Sequence, residues 1–176
     1  MIYILDFDGK VQGVLSNELP FSLPFWDDMY VENIEDALST YEFKCPAQGT
    51  ETIKIENYVA IPDLDDQLVL FKIREIQTFH DADGKLYKQV FAENASLELL
   101  KTIVRPRSFS GVTAEQVLTD ILQGTLWQAG NVEITDVQNI EFTDYVTAIE
   151  AIQNVKDTFG GEIRYRVELN GGQISK

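Results

Sequence analysis

Cysteine, histidine and positive charge are scarce in this chain of 176 residues. Cys45 is the only cysteine, so no internal disulfide closes and no multi-cysteine zinc centre can be built. His80 is the only histidine, so a Cys–His dyad has one candidate pair, and Cys45 runs into Pro46 with no nucleophile signature around it. Fourteen Lys and Arg stand against 29 Asp and Glu, a formal charge of -15. Such a surface repels nucleic-acid phosphates and anionic lipid heads over roughly 8–10 Å in ordinary salt, which argues against tight DNA or RNA binding. No apolar run approaches the ~20 residues that cross a bilayer. Asp6 and Asp8 stand where a signal peptide carries its basic flank, so a chain made and kept in a reducing cytoplasm is expected.

What is present is a core. Hydrophobic residues make up 44% and charged ones 24%, the balance of a globular chain of one large or two small domains. The first half reads as β. Ile2 to Leu5, Val11 to Leu15, Tyr41 to Cys45, Lys54 to Ile61, Leu68 to Gln77 and Lys85 to Ala92 are apolar or alternating runs rich in Val, Ile, Tyr and Phe. Turn chemistry parts them at Asp8-Gly9, Ser16-Asn17, Pro46 to Gly49, Pro62 to Asp66 and Asp83-Gly84. With no amphipathic helix between them, an antiparallel β-barrel or sandwich is expected rather than a parallel sheet. Pro20 and Pro24, with Phe21, Phe25 and Trp26, read as an aromatic loop.

From Leu97 to Arg105 the texture fits a short helix or a strand equally. Thr113 and Gln116 then form a capping box, and Ala114, Val117, Leu118, Ile121 and Leu122 follow as one buried stripe, with Gly124 as the stop. A second helix is expected from about Thr143 to Thr158, ended by Gly160-Gly161. Val132 to Thr135 and Ile140 to Phe142 read as short strands. Glu162 to Leu169 alternates without a fault, and Asn170, Gly171 and Gly172 close a primed turn before Gln173 to Lys176. The expected class is α+β, divided near residue 100: a β-barrel-like part over 1–100 and an α/β module over 101–176. The returning strand is short, so an N-terminal piece of a longer protein is expected.

Several residues look like chemistry. Tyr3-Ile4-Leu5 running into Asp6-Phe7-Asp8-Gly9 resembles the first motif of haloacid-dehalogenase-like phosphatases, in which Asp6 would be the nucleophile and Asp8 the acid or base beside Mg²⁺. Lys10 follows where that family carries Thr or Val, no crossover helix follows, and an Asp-Gly hairpin turn accounts for the same residues. Asp81-Ala82-Asp83-Gly84 opens like a calcium loop, yet its twelfth position is Ala92 rather than glutamate. Ser110-Gly111 lacks a nucleophile elbow. Arg105 and Arg107, with Lys101, form the densest basic spot. Trp26 and Trp127 are rings of the kind that anchor interfaces, and Phe21, Phe25 and Trp26 would suit a carbohydrate-binding or adhesin module. No catalytic, cofactor-binding or metal residue is assigned from these patterns.

The order of pieces is more telling. Gln89-Val90-Phe91-Ala92-Glu93, then Thr113 to Leu118, then Leu122 to Gly130 with Gly124-Thr125 and Trp127, then Phe159-Gly160-Gly161-Glu162-Ile163, resembles the N-terminal region of phage tail hub proteins. These are the minor structural or tail-associated endopeptidase (lysin) proteins of siphophages and prophages. The resemblance implies a baseplate hub, a virion component made in the host bacterial cytoplasm and placed at the tail tip. It implies a homotrimer in the full-length protein, docked to the distal tail protein and the tape-measure protein. It also implies no cofactor, and any cell-wall hydrolase in a region C-terminal to this chain.

Overall fold

The computed structural model describes residues 1–33 and 38–176. Their backbone forms two compact units: Met1–Ala95 with Tyr165–Ser175, and Ser96–Arg164 with Lys176.

The first unit is built on one seven-stranded antiparallel sheet. Its strands are β1 (Ile2–Leu5), β2 (Val11–Leu15), β3 (Trp26–Asn33), β4 (Leu38–Pro46), β5 (Tyr58–Pro62), β6 (Leu68–His80) and β7 (Leu86–Asn94), in the order β2-β1-β5-β6-β7-β4-β3. Alternation sets the faces. In β4, Ser39, Tyr41, Phe43 and Cys45 are buried while Thr40, Glu42, Lys44 and Pro46 are half-exposed. Ile2, Ile4, Leu15, Val59, Phe71 and Val90 join Tyr41 and Phe43 in one core cluster. The sheet coils around that core. Tyr30 of β3 and Phe71 of β6 stand three strands apart, about 14 Å on a flat sheet, yet their ring centroids meet at 5.8 Å.

This coiling does not produce the expected barrel. β2 and β3 are the two ends of the ladder and do not pair. The rim of β2 is occupied by the chain itself: the Val11 N–H donates to the Gly172 carbonyl at 2.8 Å, the Ser16 N–H to Leu23 at 3.0 Å, and the Ser22 hydroxyl to Val14 at 3.0 Å. These contacts occupy part of the rim that a closing strand would need.

The aromatic loop also differs from expectation at its end, because Trp26 opens β3. The residues read as a strand over 54–61 become strand only from Tyr58. The residues read as strand over 162–169 form a ladder only in β12 (Glu168–Asn170), which returns in β13 (Gln173–Ser175). Ile163, Tyr165, Val167 and Leu169 nonetheless alternate with more exposed neighbours, and Val167 bridges Leu68. Gly171 at φ 59 and Gly172 at φ 83 form the two-residue primed turn, with Asn170 opposite Gln173.

The second unit begins with a 3-10 segment, Ala95–Lys101, of which all but Ala95 lies in this unit. It continues through β8 (Ile103–Val104), β9 (Arg107–Thr113), α1 (Ala114–Ile121), β10 (Val137–Phe142), β11 (Val146–Thr147) and α2 (Ala148–Phe159). β9 pairs with β10 and β8 with β11, both antiparallel. α1 buries Ala114, Val117 and Ile121, and α2 buries Ala148, Ala151, Ile152, Val155 and Phe159. α2 starts later than the expected Thr143, because Val146 and Thr147 pair with Val104 and Ile103 and the Ala148 N–H donates to the Thr102 carbonyl. Residues 132–135 carry no ladder.

Candidate functional site

The carboxylates that resemble catalytic or calcium-binding groups are used to turn hairpins. At Asp6 to Lys10, the Asp6 N–H donates to the Lys10 carbonyl and the Gly9 N–H to the Asp6 carbonyl, at 2.9 and 3.0 Å. Asp6 Oδ1 accepts the N–H groups of Asp8 and Lys10 at 3.1 and 2.9 Å. Gly9, at φ 80, supplies the left-handed residue of a three-residue loop. Asp81 to Lys85 repeats the plan: Asp81 Oδ1 accepts from Asp83 and Lys85 at 2.9 and 2.7 Å, and Gly84 sits at φ 77. Asp63 to Gln67 is a third copy, with Asp63 Oδ1 accepting from Asp65 and Gln67 at 2.8 and 2.9 Å and Asp66 itself left-handed at φ 59.

The phosphatase reading of Asp6 and Asp8 is overturned by this topology. A nucleophile of that kind ends a parallel strand, and β1 is antiparallel to both its neighbours, β2 and β5. Its first carboxylate is committed to two backbone donors. Among the described residues no three His, Cys, Asp or Glu stand together as a metal site.

Cys45 faces the core, wholly buried, and burial pushes its thiol up rather than toward the reactive thiolate. His80 is exposed at the end of β6. Ser110-Gly111 lies within β9, not at a strand-to-helix elbow. In the basic spot Arg107 pairs with Asp120 at 2.6 Å and stacks over Phe109, bracing β9 against α1. Trp127 is buried. The three aromatics of the expected loop separate: Phe21 is fully exposed at φ 64, Phe25 packs against the core, and Trp26 enters β3.

The surface that stands out is the edge of the first unit's sheet. Trp26, Met29 and Val31 lie opposite Lys44, Glu42 and Thr40 and so share the outer face. All three are substantially exposed. A row of rings continues from Trp26 to Tyr87 (centroids 6.1 Å) and on to Phe79, stacked on Tyr87 at 5.5 Å. On the inner side Tyr30 packs on Phe71, while Asp28 and Glu32 reach solvent at the rim. The buried Tyr41 hydroxyl donates to Asp28 Oδ2 at 3.3 Å, and burial with the neighbouring Asp28 charge pushes that phenol far up. Sequence reasoning missed β3 because its alternation is broken: the ladder slips between Trp26 and Met29, where Asp27 turns to φ 49 and pairs with Lys44 at 2.8 Å. The surviving signal is Tyr30 and Val31, two consecutive strand formers after the apolar Met29.

Comparison with known proteins follows the same lines. Residues 90–174 match the model of the prophage endopeptidase tail domain family. The prophage tail protein gp18 of Listeria monocytogenes EGD-e superposes on 98% of this chain with a TM-score of 0.61 at 16% identity. A tail protein of Neisseria meningitidis MC58 superposes on 98% with a TM-score of 0.62 at 10% identity. The c3393 protein of E. coli, described as a type VI secretion component similar to T4 tail proteins gp27 and gp5, covers 89% with a TM-score of 0.50 at 12% identity. The chain spans 49% and 48% of the Listeria and Neisseria structures and 42% of the E. coli one. No curated protein matches it at the level of sequence.

Proposed function

We propose that this chain, a phage or prophage tail structural protein by its family match and its fold, serves as a hub component of the tail tip, the N-terminal assembly region of a longer tail protein. The carrying observation is fold likeness along 98% of its length to two tail proteins, of which it corresponds to about half. In this reading the unit of residues 1–95 and 165–175 is the hub domain, and residues 96–164 are a module inserted into it rather than a part that runs from 101 to 176. Three copies form a ring that docks on the distal tail protein and the tape-measure protein. Its work is contact, not bond cleavage: the aspartates that resemble a phosphatase are spent on turns, and the fold is that of structural tail proteins. The charge of -15 fits a component past which DNA travels without the counterion release that holds it on basic surfaces.

The test is genetic and visual. In a phage or lysogen encoding this chain, deletion of its gene should give particles without a formed tail tip in negative-stain images. Antibody to the chain should decorate the tip of wild-type virions. Its absence from purified virions by mass spectrometry overturns the reading. Light scattering of the full-length protein tests the trimer.

A further inference from the structure

We infer that the outer edge of β3, over Asp28 to Glu32, is a strand-addition site for an extended segment of a partner protein in which cationic and apolar side chains alternate. The sheet has two ends and treats them differently. β2 is covered by Gly172, Leu23 and Ser22 of the same chain. Among the described residues β3 pairs only with β4. An edge bearing three exposed apolar side chains is normally blunted by charged side chains, proline, a bulge or a covering segment. Here no lysine or proline lies in the strand and the one bulge sits at its start, so the protection comes from Asp27, Asp28 and Glu32, which turn away a like-charged strand and leave the edge open to a cationic one.

The two faces of the edge specify the occupant. An added strand would set alternate side chains beside Met29 and Val31 on the outer face, where an apolar group continues the row from Trp26. The intervening side chains would fall beside Asp28 and Glu32 on the inner rim, where lysine or arginine is complementary. A second copy is a poor occupant. Twofold pairing of β3 with itself would bring Asp27, Asp28 and Glu32 toward the same three carboxylates, between molecules that each carry -15. The edge makes this demand whether or not the chain works at a tail tip.

The probe is an acetylated, amidated ten-residue peptide alternating lysine and valine, labelled for anisotropy. It should bind the whole chain and slow amide hydrogen exchange at Met29 to Glu32. The matching glutamate–valine peptide, and a lysine–valine peptide N-methylated along one edge, should bind about tenfold more weakly or not at all. Asp28→Asn with Glu32→Lys keeps the acceptor for Tyr41 and should cost the lysine peptide about tenfold in affinity. Equal binding of the glutamate peptide, unchanged exchange in β3, or no effect of N-methylation overturns the inference. Protection of β3 that grows with protein concentration and without peptide assigns the edge to a second copy and overturns it equally.

Discussion

An aspartate at φ 59 occupies a backbone region that glycine reaches at no steric cost, and Asp66 does so while its two sister turns use Gly9 and Gly84. The natural chain thus contains its own comparison. Asp66→Gly should raise stability by about 0.5 kcal/mol, relief of the left-handed strain exceeding the added freedom of the unfolded chain. Urea denaturation reads this directly, and a loss of stability would mean that Asp66 makes a compensating contact. The first aspartate of each turn does different work. Asp6→Ala removes the acceptor of two backbone N–H groups and should cost about 1 kcal/mol, while Asp6→Asn retains Oδ1 and should be nearly neutral. Neither change should alter phosphate-ester hydrolysis with Mg²⁺, which is expected at background for the parent chain. At this scale the sequence was legible for the two Asp-Gly turns. The third was legible as a turn over Pro62 to Asp66 but not as a copy of the other two, because Asp65-Asp66 lacks the glycine that marks the left-handed position.

The two helices begin with the same device and differ in one atom. Thr113 caps α1 with Gln116 at N3, and Thr147 caps α2 with Glu150 at N3. Glu150 accepts the Thr147 N–H at 2.7 Å and its hydroxyl at 2.9 Å, and these bonds hold its carboxyl below the usual glutamate range. A carboxyl depressed in the folded state contributes fully above its unfolded pKa, and the contribution fades as pH falls through the lower, folded value. Exchange protection in the first turn of α2 should therefore drop on acidification below the ordinary glutamate pKa, while α1, capped by an amide, should not respond there. Glu150→Gln should abolish the difference between the helices; an unchanged pH profile in that variant would show that another group titrates. The α1 box was legible because its stripe of apolar residues begins at the cap. The α2 start was not, because Tyr145 and Ala148 extend the helical spacing backward through residues that the pairing of β8 with β11 claims. β3 was lost for a related reason, since one bulged residue shifts every later side chain to the other face.

Across the whole molecule the first unit is stitched from two distant stretches, 1–95 and 165–175, and that is the feature least legible in a linear reading. The order of motifs carried the family resemblance, and the alternation of Ile163 to Leu169 carried the buried face. Neither told where the face would be buried, which depends on partners about a hundred residues earlier. The stitch is specific. The Val167 N–H donates to Leu68 at 2.9 Å, the Ile174 N–H to Gly9 at 3.0 Å, and Arg166 Nη2 reaches Asp63 and Asp65 at 2.9 Å each. Asp63 is only 14% exposed at its side chain, and its other oxygen already holds the turn. Arg166→Ala therefore leaves a shielded carboxylate short of its cation and should cost about 1–2 kcal/mol in urea denaturation. Arg166→Lys should recover only part of that, since a single ammonium matches two carboxylates less well than a planar guanidinium. In the alanine variant, exchange should quicken at Val11, Val167 and Ile174 while Phe71 and Val90, in the middle of the sheet, stay slow. Equal acceleration at all five amides would mean that the stitch and the sheet open as one cooperative unit, the hairpin of Glu168 to Ser175 being part of it instead of a clasp laid over it.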